Sequence, residues 1–517
     1  MNPVLRHLPF AALGSSATHQ RFLDDDPRLA AHLGARARTV DEFLARAPRG
    51  AQRLVPAAEL SAALVAYAER HGAPEASLAN ARLLAQPDTH VIVTGQQPGL
   101  LGGPLFSLHK AATAVRMCRE IARVPGAPRV VPLFWNHTDD HDHDEANRLF
   151  LPNAAHELQR FRLELEHHGE ALRHVRAGSA MERLLAEVEP LLPQTEFREW
   201  ALGCFRPRGA DEPLGAGFAR MLFEVFGSEG LVVIEARDLP RRAFDVLGTF
   251  WSRSGEVRSC VRAQRDQLRR EGLDVTIEPE STLMFRLEQG RRVALHDGES
   301  VGDVTQASPG ALLRPVWQDA VLPTLGFVAG PGELGYLSVV GAVYRRLGVA
   351  MPVLVPRASL TLVEPSLQRL LQKFALDLTD LEAGPEALAA RMQGESSGTL
   401  ETAIDEAVAA LTGRLDALAP DLARLDPSLT GALERARDKA RDEVQKLTAR
   451  VRKVREEREG TGQRQLRRLC SVLRPRGRLQ ERVLPAISCM LTHGPKVGPI
   501  LTAAADPFAT THGVLEL

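Results

Sequence analysis

Apolar and polar positions follow patterns along the chain that predict the strands and helices of an α/β protein. Two short apolar runs at 90–94 and 130–135 flank a glycine-rich loop and a segment with helical spacing. Strand, loop, helix and strand in that order make a βαβ unit, and such units imply a parallel sheet. Strand-like runs return at 324–329 and 352–356, with a helical stretch between them. We expect this second unit to rejoin the first sheet.

The domain organisation follows from where these patterns change. We assign a helical N-terminal lead-in that packs on the core to 1–88, the two halves of the sheet to 89–150 and 311–358, a connecting insertion to 151–310, a helical coiled-coil domain to 359–460, and a C-terminal segment that returns to the core to 461–517. One clear strand pattern, at 231–236, lies inside the insertion.

The coiled-coil assignment depends on two series of apolar residues spaced by four and three positions. The series run over 404–418 and 429–454, with Pro420 and Pro427 between them. Nearly all intervening positions are charged, which is typical of a long antiparallel helical hairpin with an apolar seam. Acidic residues interrupt the basic stretch at 450–455, which favours a solvated helix face over a nucleic-acid surface. Two hairpins can cover each other's seams, so we expect a homodimer.

Composition narrows the class of protein. The 517 residues are 44% hydrophobic and 25% charged, as in a globular protein of several domains. No apolar run approaches the ~18 residues that a membrane-spanning helix needs. The formal charge of −1 gives no general attraction to nucleic acid or anionic lipid. The five cysteines lie far apart and the N-terminus is a poor secretory signal, so we expect a cytoplasmic location without a disulfide framework or a thiolate zinc site.

The first cluster of residues that could bind a ligand or take part in catalysis is the glycine-rich loop at 94–104, which directly follows the first predicted strand. Its glycines let the backbone approach a ligand, and the helix after Pro104 aims free N–H groups and its positive dipole end at the loop. The spacing matches neither the Walker nor the dinucleotide motif. The candidate anion-binding residues are Gly95, Gln96, Gln97, Gly99, Gly102 and Gly103.

The helix after this loop adds two candidates. Helical spacing places His109 and Lys110 on a face that the core does not claim. Lys110 is the only lysine between residues 1 and 372 in a chain that otherwise uses arginine there. A compact ammonium serves where a planar guanidinium does not fit. We therefore predict phosphate contact for both residues, and the alternative is a solvated polar face.

The second cluster is the block at 136–145, which holds five carboxylates and three imidazoles directly after the second strand. Both clusters thus lie at carboxyl ends of neighbouring parallel strands, where open α/β sheets bind ligands. The block could bind a metal, hold a cationic or hydroxyl-rich substrate, or supply a general base. Its spacing fits no standard metal motif. The candidates carried forward are Asp140, His141 and Asp142.

Two further clusters complete the set of candidate residues. The segments 313–318 and 330–336 repeat the order of strand, glycine loop and helix, and 473–482 is a basic turn after the hairpin. A structural turn or packing against the core is the alternative in each case. The candidates here are Arg314, Gln318, Gly330, Gly332, Glu333 and Arg474.

Taken together and in this order, these clusters resemble the cysteine ligase family of bacillithiol biosynthesis. The matching text is TGQQPGLLGGPLFSLHKA at 94–111, FWNHTDDHDHDEAN at 134–147, LLRPVWQDAVLPTLGFVAGPGELGYL at 312–337, MPVLVPRAS at 351–359 and LRPRGRLQERV at 473–483. The resemblance implies a Rossmann-like core akin to class I nucleotidyltransferases and aminoacyl-tRNA synthetases. It also implies connecting insertions and a C-terminal coiled coil through which subunits dimerise.

The resemblance also implies an activity, in which cysteine is joined to glucosaminyl-malate by an amide bond to form bacillithiol. ATP with Mg²⁺ would activate the cysteine carboxyl, and no tightly bound, protein-ligated metal is expected. The six loop residues named above, including Gln96 and Gln97, would bind ATP together with Gly330 and Gly332, and His109 and Lys110 would stabilise phosphate charge. Asp140, His141 and Asp142 would orient the acceptor or take its proton. The substrate-binding residues would be Arg314, Gln318, Glu333 and Arg474.

The sequence departs from the pattern of related nucleotidyltransferases at two places. Only His109 matches their His-x-Gly-His signature, and 330–333 stands where a lysine-rich second loop is expected. His141 and Asp142 match the family's Asp-His-Asp core, whereas His137 and His143 have no inherited role. Two other functions stay open: a metal-dependent hydrolase that uses 137–145, and a non-catalytic member that binds nucleotide or another ligand.

Overall fold

A computed structural model describes residues 4–48, 53–165, 169–273, 277–278, 281–393, 399–459 and 461–517. The chain forms two compact units. The first unit comprises Met1–Leu151, Arg160–Val363 and Leu479–Leu517, and the second comprises Pro152–Gln159 and Glu364–Arg478. The residues after the hairpin are therefore divided: 461–478 lie in the second unit, whereas the sequence pattern placed all of 461–517 with the core.

The described strands belong to four sheets. They are β1 (Val4–Pro9), β2 (Thr89–Gln96), β3 (Arg129–Asn136), β4 (Arg148–Pro152), β5 (Leu158–Arg162), β6 (Val232–Glu235), β7 (Met284–Glu288), β8 (Arg291–Ala294), β9 (Ala307–Pro309), β10 (Thr324–Ala329), β11 (Val353–Pro356), β12 (Leu360–Val363) and β13 (Thr511–Glu516).

The helices of the first unit come mostly before residue 350. They are α1 (Ala17–Leu23), α2 (Pro27–Leu33), α3 (Val40–Arg46), α4 (Ala57–His71), α5 (Glu75–Leu83), α6 (Phe106–Ala122), α7 (His143–Ala146), α8 (Gly178–Val188), α9 (Arg198–Gly203), α10 (Leu214–Phe226), α11 (Arg241–Trp251), α12 (Ser254–Arg270), α13 (Arg314–Val321) and α14 (Pro331–Leu347). The second unit contributes α15 (Pro365–Phe374), α16 (Gly384–Gln393), α17 (Thr399–Ala417), α18 (Ala419–Leu425), α19 (Leu429–Glu459) and α20 (Thr461–Leu473), and the chain ends with α21 (Ile487–His493) and α22 (Val497–Ala504).

The central sheet is parallel and has the order β11-β10-β2-β3-β6 among the described residues. From β2 the chain passes through α6 to β3, the next strand in one direction along the sheet. From β10 it passes through α14 to β11, the next strand in the opposite direction. The direction of winding therefore reverses between β2 and β10, and this reversal creates a crevice at their carboxyl ends. The edge strand β6 pairs with β3 although it lies inside the segment assigned to the insertion. The insertion thus completes the sheet as well as connecting its halves.

A smaller sheet joins distant parts of the first unit. Strand β13 pairs antiparallel with β1, with Val4 opposite Glu516 and Pro9 opposite Thr511. On its other edge it pairs parallel with β12. The N-terminal segment therefore begins with a strand, and the predicted helical pattern holds only after it. Within the insertion, β7 pairs antiparallel with both β8 and β9, and this three-stranded sheet positions one residue of the candidate site.

Helix α6 is buried on more sides than its sequence pattern predicts. One side packs on the sheet, where Met117 and Ile121 join a core with Phe43 of α3. The side that carries His109 and Lys110 is also buried, with 0% and 3% exposure. The expectation of a face free of the core was wrong: His109 Nδ1 lies 2.9 Å from Glu481 Oε2 of the C-terminal segment, and Lys110 Nζ lies 2.8 Å from the Gly95 carbonyl of β2.

The second unit contains the helical hairpin that the apolar series predicts. Helix α17 packs along α19, with the short helix α18 at the turn, and Arg437 pairs with Asp416 at 3.1 Å. Large apolar side chains on the hairpin are exposed: Leu411, Leu418, Leu425 and Leu447. Across the part of the chain that the structure describes, no helix combines the length and apolar character required to cross a membrane.

Candidate active site

Lys110 joins the two sides of the crevice between β2 and β10. Its Nζ donates to the Gly95 carbonyl at 2.8 Å and to Gln96 Oε1 at 3.1 Å, both at the end of β2. It also lies 2.7 Å from Glu333 Oε2 in the first turn of α14, and this carboxylate accepts a bond from the Gly330 N–H at 2.6 Å. Burial lowers the pKa of Lys110, and Glu333 offsets part of that shift. The three ammonium hydrogens therefore already have acceptors, and a phosphate at Lys110 would have to displace one of them.

The glycines of the loop are explained largely by packing. A Cβ on Gly95 would lie 2.4 Å from His137 Nε2, and one on Gly99 would lie 2.5 Å from the Gly103 Cα. Gly102 has φ +91°, and its Cβ would meet Ala486 at 2.4 Å. Gly332 differs, because a Cβ there would meet nothing within 4 Å. Open space thus lies at the start of α14 rather than along the loop after β2.

His109 lies in the protein core. Its Nδ1 is 2.9 Å from Glu481 Oε2, and Arg357 donates to both oxygens of the same carboxylate at 2.9 and 2.6 Å. Burial lowers the pKa of His109; burial alone would raise the pKa of Glu481, but Arg357 and His109 hold it well below its usual range. The geometry indicates that His109 anchors the C-terminal segment to α6, and it does not line the pocket described next.

A small pocket, open to solvent on one side, lies at the carboxyl ends of β3 and β6. It is lined by Trp135, His137, Asp139, Asp140, Ala236, Arg292, Pro309, Arg314 and Trp317. The indole rings of Trp135 and Trp317 meet edge to face at 5.5 Å and form its apolar wall. The polar residues come from three sources: the block after β3, the start of α13, and strand β8 of the insertion.

Arginines hold the carboxylates of this pocket. Asp139 accepts from Arg237 at 2.7 to 3.0 Å. Asp140 lies between Arg292 and Arg314, each at 3.3 Å. Burial would raise the pKa of Asp140, but the hydrogen bond from His141 and the two arginines hold it far below its usual range. Asp140 is therefore ionised at neutral pH and cannot accept a proton there.

The rest of the acidic block points in several directions. His141 is exposed and its Nδ1 lies 3.0 Å from an Arg292 nitrogen, and Asp142 is exposed as well. His143 Nε2 bonds to the Glu170 carbonyl at 2.8 Å, and Asp144 pairs with Arg162 at 2.7 Å. Among the described side chains, no three His, Cys, Asp or Glu residues converge as metal ligands would.

His137 is a pocket residue that sequence reasoning set aside. Burial, Arg314 and Lys110 lower its pKa well below the usual value, so the ring is neutral at physiological pH. Its Nδ1 is buried without a hydrogen-bond partner among the described residues. Its position one residue after the end of β3 was the available signal. Arg292 was also missed, and nothing in its local sequence distinguishes it from neighbouring arginines.

The predicted substrate-binding residues do not all line the pocket or the crevice of the first unit. Arg314 lines the pocket and Glu333 lies in the crevice, as described above. Gln318 is 1% exposed and donates to Asp319 Oδ1 at 3.2 Å, so it belongs to the packing of α13. Arg474 lies in the second unit, where it donates to Glu382 Oε2 at 2.8 Å.

The fold and site define a class: a protein with a Rossmann-like α/β unit, a ligand crevice where the sheet winding reverses, and a unit with a helical coiled coil. The family comparison agrees with this. The model described as "Bacillithiol biosynthesis BshC, N-terminal Rossmann-like domain" matches residues 5–358, and that of the "C-terminal coiled-coil domain" matches 360–517. The chain belongs to the BshC family of bacillithiol biosynthesis.

Relatives match over most of their length, and each is named "Putative cysteine ligase BshC". A protein from Symbiobacterium thermophilum is 32% identical over 95% of this chain and 96% of its own. One from Koribacter versatilis is 32% identical over 86% and 87%, and one from Thermus thermophilus is 30% identical over 84% and 90%. These matches confirm the resemblance found in the motifs, the Rossmann-like fold class with its coiled-coil domain, and the assignment to a family of ligases.

Proposed function

We propose that this chain joins the carboxyl group of cysteine to the amine of glucosaminyl-malate and so forms the amide bond of bacillithiol. Membership of the family and the names of its relatives support the reaction class. The observation that carries the proposal is the pocket after β3, where Arg292 and Arg314 flank Asp140 beside a neutral His137. Such a pocket suits an acceptor that carries carboxylates and a reacting amine.

The reaction requires an activated carboxyl group, because an amine does not displace a carboxylate oxygen. One carboxylate oxygen of cysteine attacks a phosphorus of ATP, and either pyrophosphate or ADP leaves. The amine nitrogen of the acceptor then attacks the acyl carbon, the bond from that carbon to the phosphate oxygen breaks, and AMP or phosphate leaves. The nitrogen loses one proton in this step. A general base must take that proton.

His137 is the best-placed group for this proton in the proposed scheme. Asp140 is committed to two arginines, whereas His137 is neutral and has a ring nitrogen without a partner in the described structure. The positive charges of Arg314 and Lys110 contribute to the lowering of its pKa. Bound anionic substrates offset these charges, which raises the basicity of the ring when both substrates are present.

The crevice beside the pocket has features that suit the phosphates of ATP with Mg²⁺. Gly332 leaves open space at the start of α14, where backbone N–H groups favour an anion. Gln97 Nε2 is buried without a partner among the described residues. Lys110 and Arg314 supply positive charge. In this proposal Glu333 exchanges its contact with Lys110 when phosphate arrives, and ATP supplies the leaving group.

The proposed function is tested by incubating the purified protein with ATP, cysteine and glucosaminyl-malate and following the products by mass spectrometry. We expect bacillithiol together with an equal amount of AMP or ADP. Omission of each substrate in turn is the control. Binding of ATP or of the acceptor without any thiol product would contradict the ligase and favour the ligand-binding alternative.

We also propose that the chain forms a homodimer through the helical hairpin. Leu411, Leu418, Leu425 and Leu447 are between 42% and 78% exposed, which leaves apolar area for a second copy to cover. Light scattering of the intact chain and of a chain without residues 400–458 tests this. We expect a dimer and a monomer respectively, and equal monomeric masses would contradict the proposal.

A further inference from the structure

We propose that Arg292 and Arg314 form a paired-guanidinium site that recognises the dicarboxylate end of the acceptor. The inference rests on the proposed function for the identity of the acceptor, but the site can be tested without the reaction. Arg292 comes from β8 of the insertion, about 20 residues before Arg314 at the start of α13. Two separate elements thus bring two guanidinium groups to one pocket.

Arg292 is held in a fixed position by contacts that leave part of its hydrogen-bonding capacity unused. Its side chain is 5% exposed, and its guanidinium lies 4.0 Å above the ring of Phe285. One terminal nitrogen donates to the Pro309 carbonyl at 3.0 Å, and the other lies 3.3 Å from Asp140. The Nε–H is buried without a partner among the described residues. A buried donor without an acceptor costs free energy, which a bound carboxylate recovers.

Asp140 occupies the position between the two arginines. Each guanidinium lies 3.3 Å from a different oxygen of this carboxylate, which is longer than the ~2.8 Å of a strong arginine–carboxylate bond. One carboxylate shared in this way leaves both cations incompletely paired. Its role in the proposal is to hold the two guanidinium groups next to each other before the ligand arrives.

The charge balance of the pocket favours an anion. Arg237 is matched by Asp139, and Lys110 is matched by Glu333. Among the described carboxylates, Asp140 is the one that pairs with Arg292 and Arg314, which leaves one positive charge in excess. A ligand with two carboxylates places one on each guanidinium, whereas a ligand with one carboxylate satisfies only one of them. The site should therefore discriminate by the number of carboxylates.

Calorimetric titration of the full chain with malate and with lactate, which lacks one carboxylate, tests the proposal. We expect wild-type protein to bind malate at least tenfold more tightly than lactate, and R292M to lose most of this preference. R291M is the matched control, because Arg291 is the exposed neighbour on the same strand. R292K keeps the charge but not the planar fork, and we expect intermediate affinity from it.

Three results would overturn the proposal: wild-type protein that fails to bind malate, equal affinity for malate and lactate, or unchanged malate binding in folded R292M. Thermal melts establish that each variant is folded, and R292K provides the test if R292M is not. Malate binding that depends on Arg292 in a protein without ligase activity would retain this site and count against the proposed reaction alone. The two failures are therefore distinguishable.

Discussion

At the scale of single residues, Lys110 shows that a residue singled out by composition can have a structural role. Its rarity in an arginine-rich chain marked it as important. The structure gives a reason that composition does not contain: the ammonium binds three acceptors from β2 and α14, with Nζ 2.8 Å from the Gly95 carbonyl. A planar guanidinium holds its donors in a fixed fork, whereas the ammonium directs three hydrogens to three separate acceptors. Lys110 therefore connects β2 to α14 across the crevice, independently of any role in binding ATP.

The variant K110M should consequently lose stability as well as activity. It leaves Glu333 without its cation and the Gly95 carbonyl without this donor, and breaking a buried ion pair costs about 3 kcal/mol. Adding E333Q removes the unpaired charge and should restore part of that loss. Chemical denaturation measures both variants. If K110M and the wild-type protein have the same denaturation midpoint, the contacts of Lys110 do not contribute to stability.

His137 carries a prediction about pH. Because its pKa lies well below 6.5, the free enzyme holds the ring neutral from pH 6.5 to 8.5. We expect H137N to lower turnover about a hundredfold, by a similar factor across that range, with little change in the KM for ATP. H296N, at an exposed histidine outside the pocket, is the control. An effect of H137N on KM alone would remove the proton-transfer role.

At the scale of elements, the parallel strands were predictable because buried strands give continuous apolar runs. The runs at 90–94, 130–135 and 324–329 correspond to β2, β3 and β10. The pairing of β6 with β3 could not be read from the chain, because pattern shows that a strand is buried and not which strand it pairs with. The same limit applied to β13, whose partners are about 150 and 500 residues away.

The candidate site residues also include some that the sequence pattern predicts and some that it does not. Residues adjacent to predicted strands, such as Asp140 and Glu333, were found because a parallel sheet gathers its carboxyl ends. Arg292 reaches the pocket from a hairpin of the insertion, and no local pattern predicts where such a hairpin packs. His109 was misjudged because helical periodicity identifies two faces but cannot show that residues after 479 cover the polar one.

The two glycine segments should respond differently to alanine. G102A places a Cβ 2.4 Å from Ala486 at a positive φ, so we expect a loss of at least about 2 kcal/mol in stability. G332A lies within α14 in open space, where alanine should stabilise the helix by up to about 1 kcal/mol. Thermal melts compare the two. Lower ATP affinity in a fully folded G332A would support a phosphate at the start of α14.

At the scale of the whole molecule, buried neutral histidines make stability depend on pH. Burial lowers the pKa of His19 and of His71 to about 4, and His109 and His137 shift in the same direction. The unfolded chain binds these protons from about pH 6.5 downward, before the folded chain does. The stability that these groups contribute is therefore complete above pH 6.5 and decreases as the pH falls. Asp319 has the opposite sign, because burial raises its pKa to about 6.

We therefore expect the denaturation midpoint to fall steadily from pH 6.5 to pH 4.5. H19Q should make this decline shallower, because it removes one of the groups that protonate on unfolding. D319N should make it steeper, because the folded chain loses a carboxyl that it protonates more readily than the unfolded chain. Denaturant titrations at several pH values measure the slope. A midpoint that is constant between pH 6.5 and 4.5 would contradict the assignment of these histidines as buried and neutral.

The small sheet that unites β1, β13 and β12 has a consequence for the order of events during synthesis. Strand β13 lies between the other two, so neither has its neighbour until Thr511–Glu516 leaves the ribosome. Glu481, which satisfies Arg357 and His109, also emerges late. The second unit consists mostly of one continuous stretch and can fold from local contacts while translation continues. The first unit instead needs the residues of β13 to complete this sheet, so β1 stays without its neighbour for most of the synthesis.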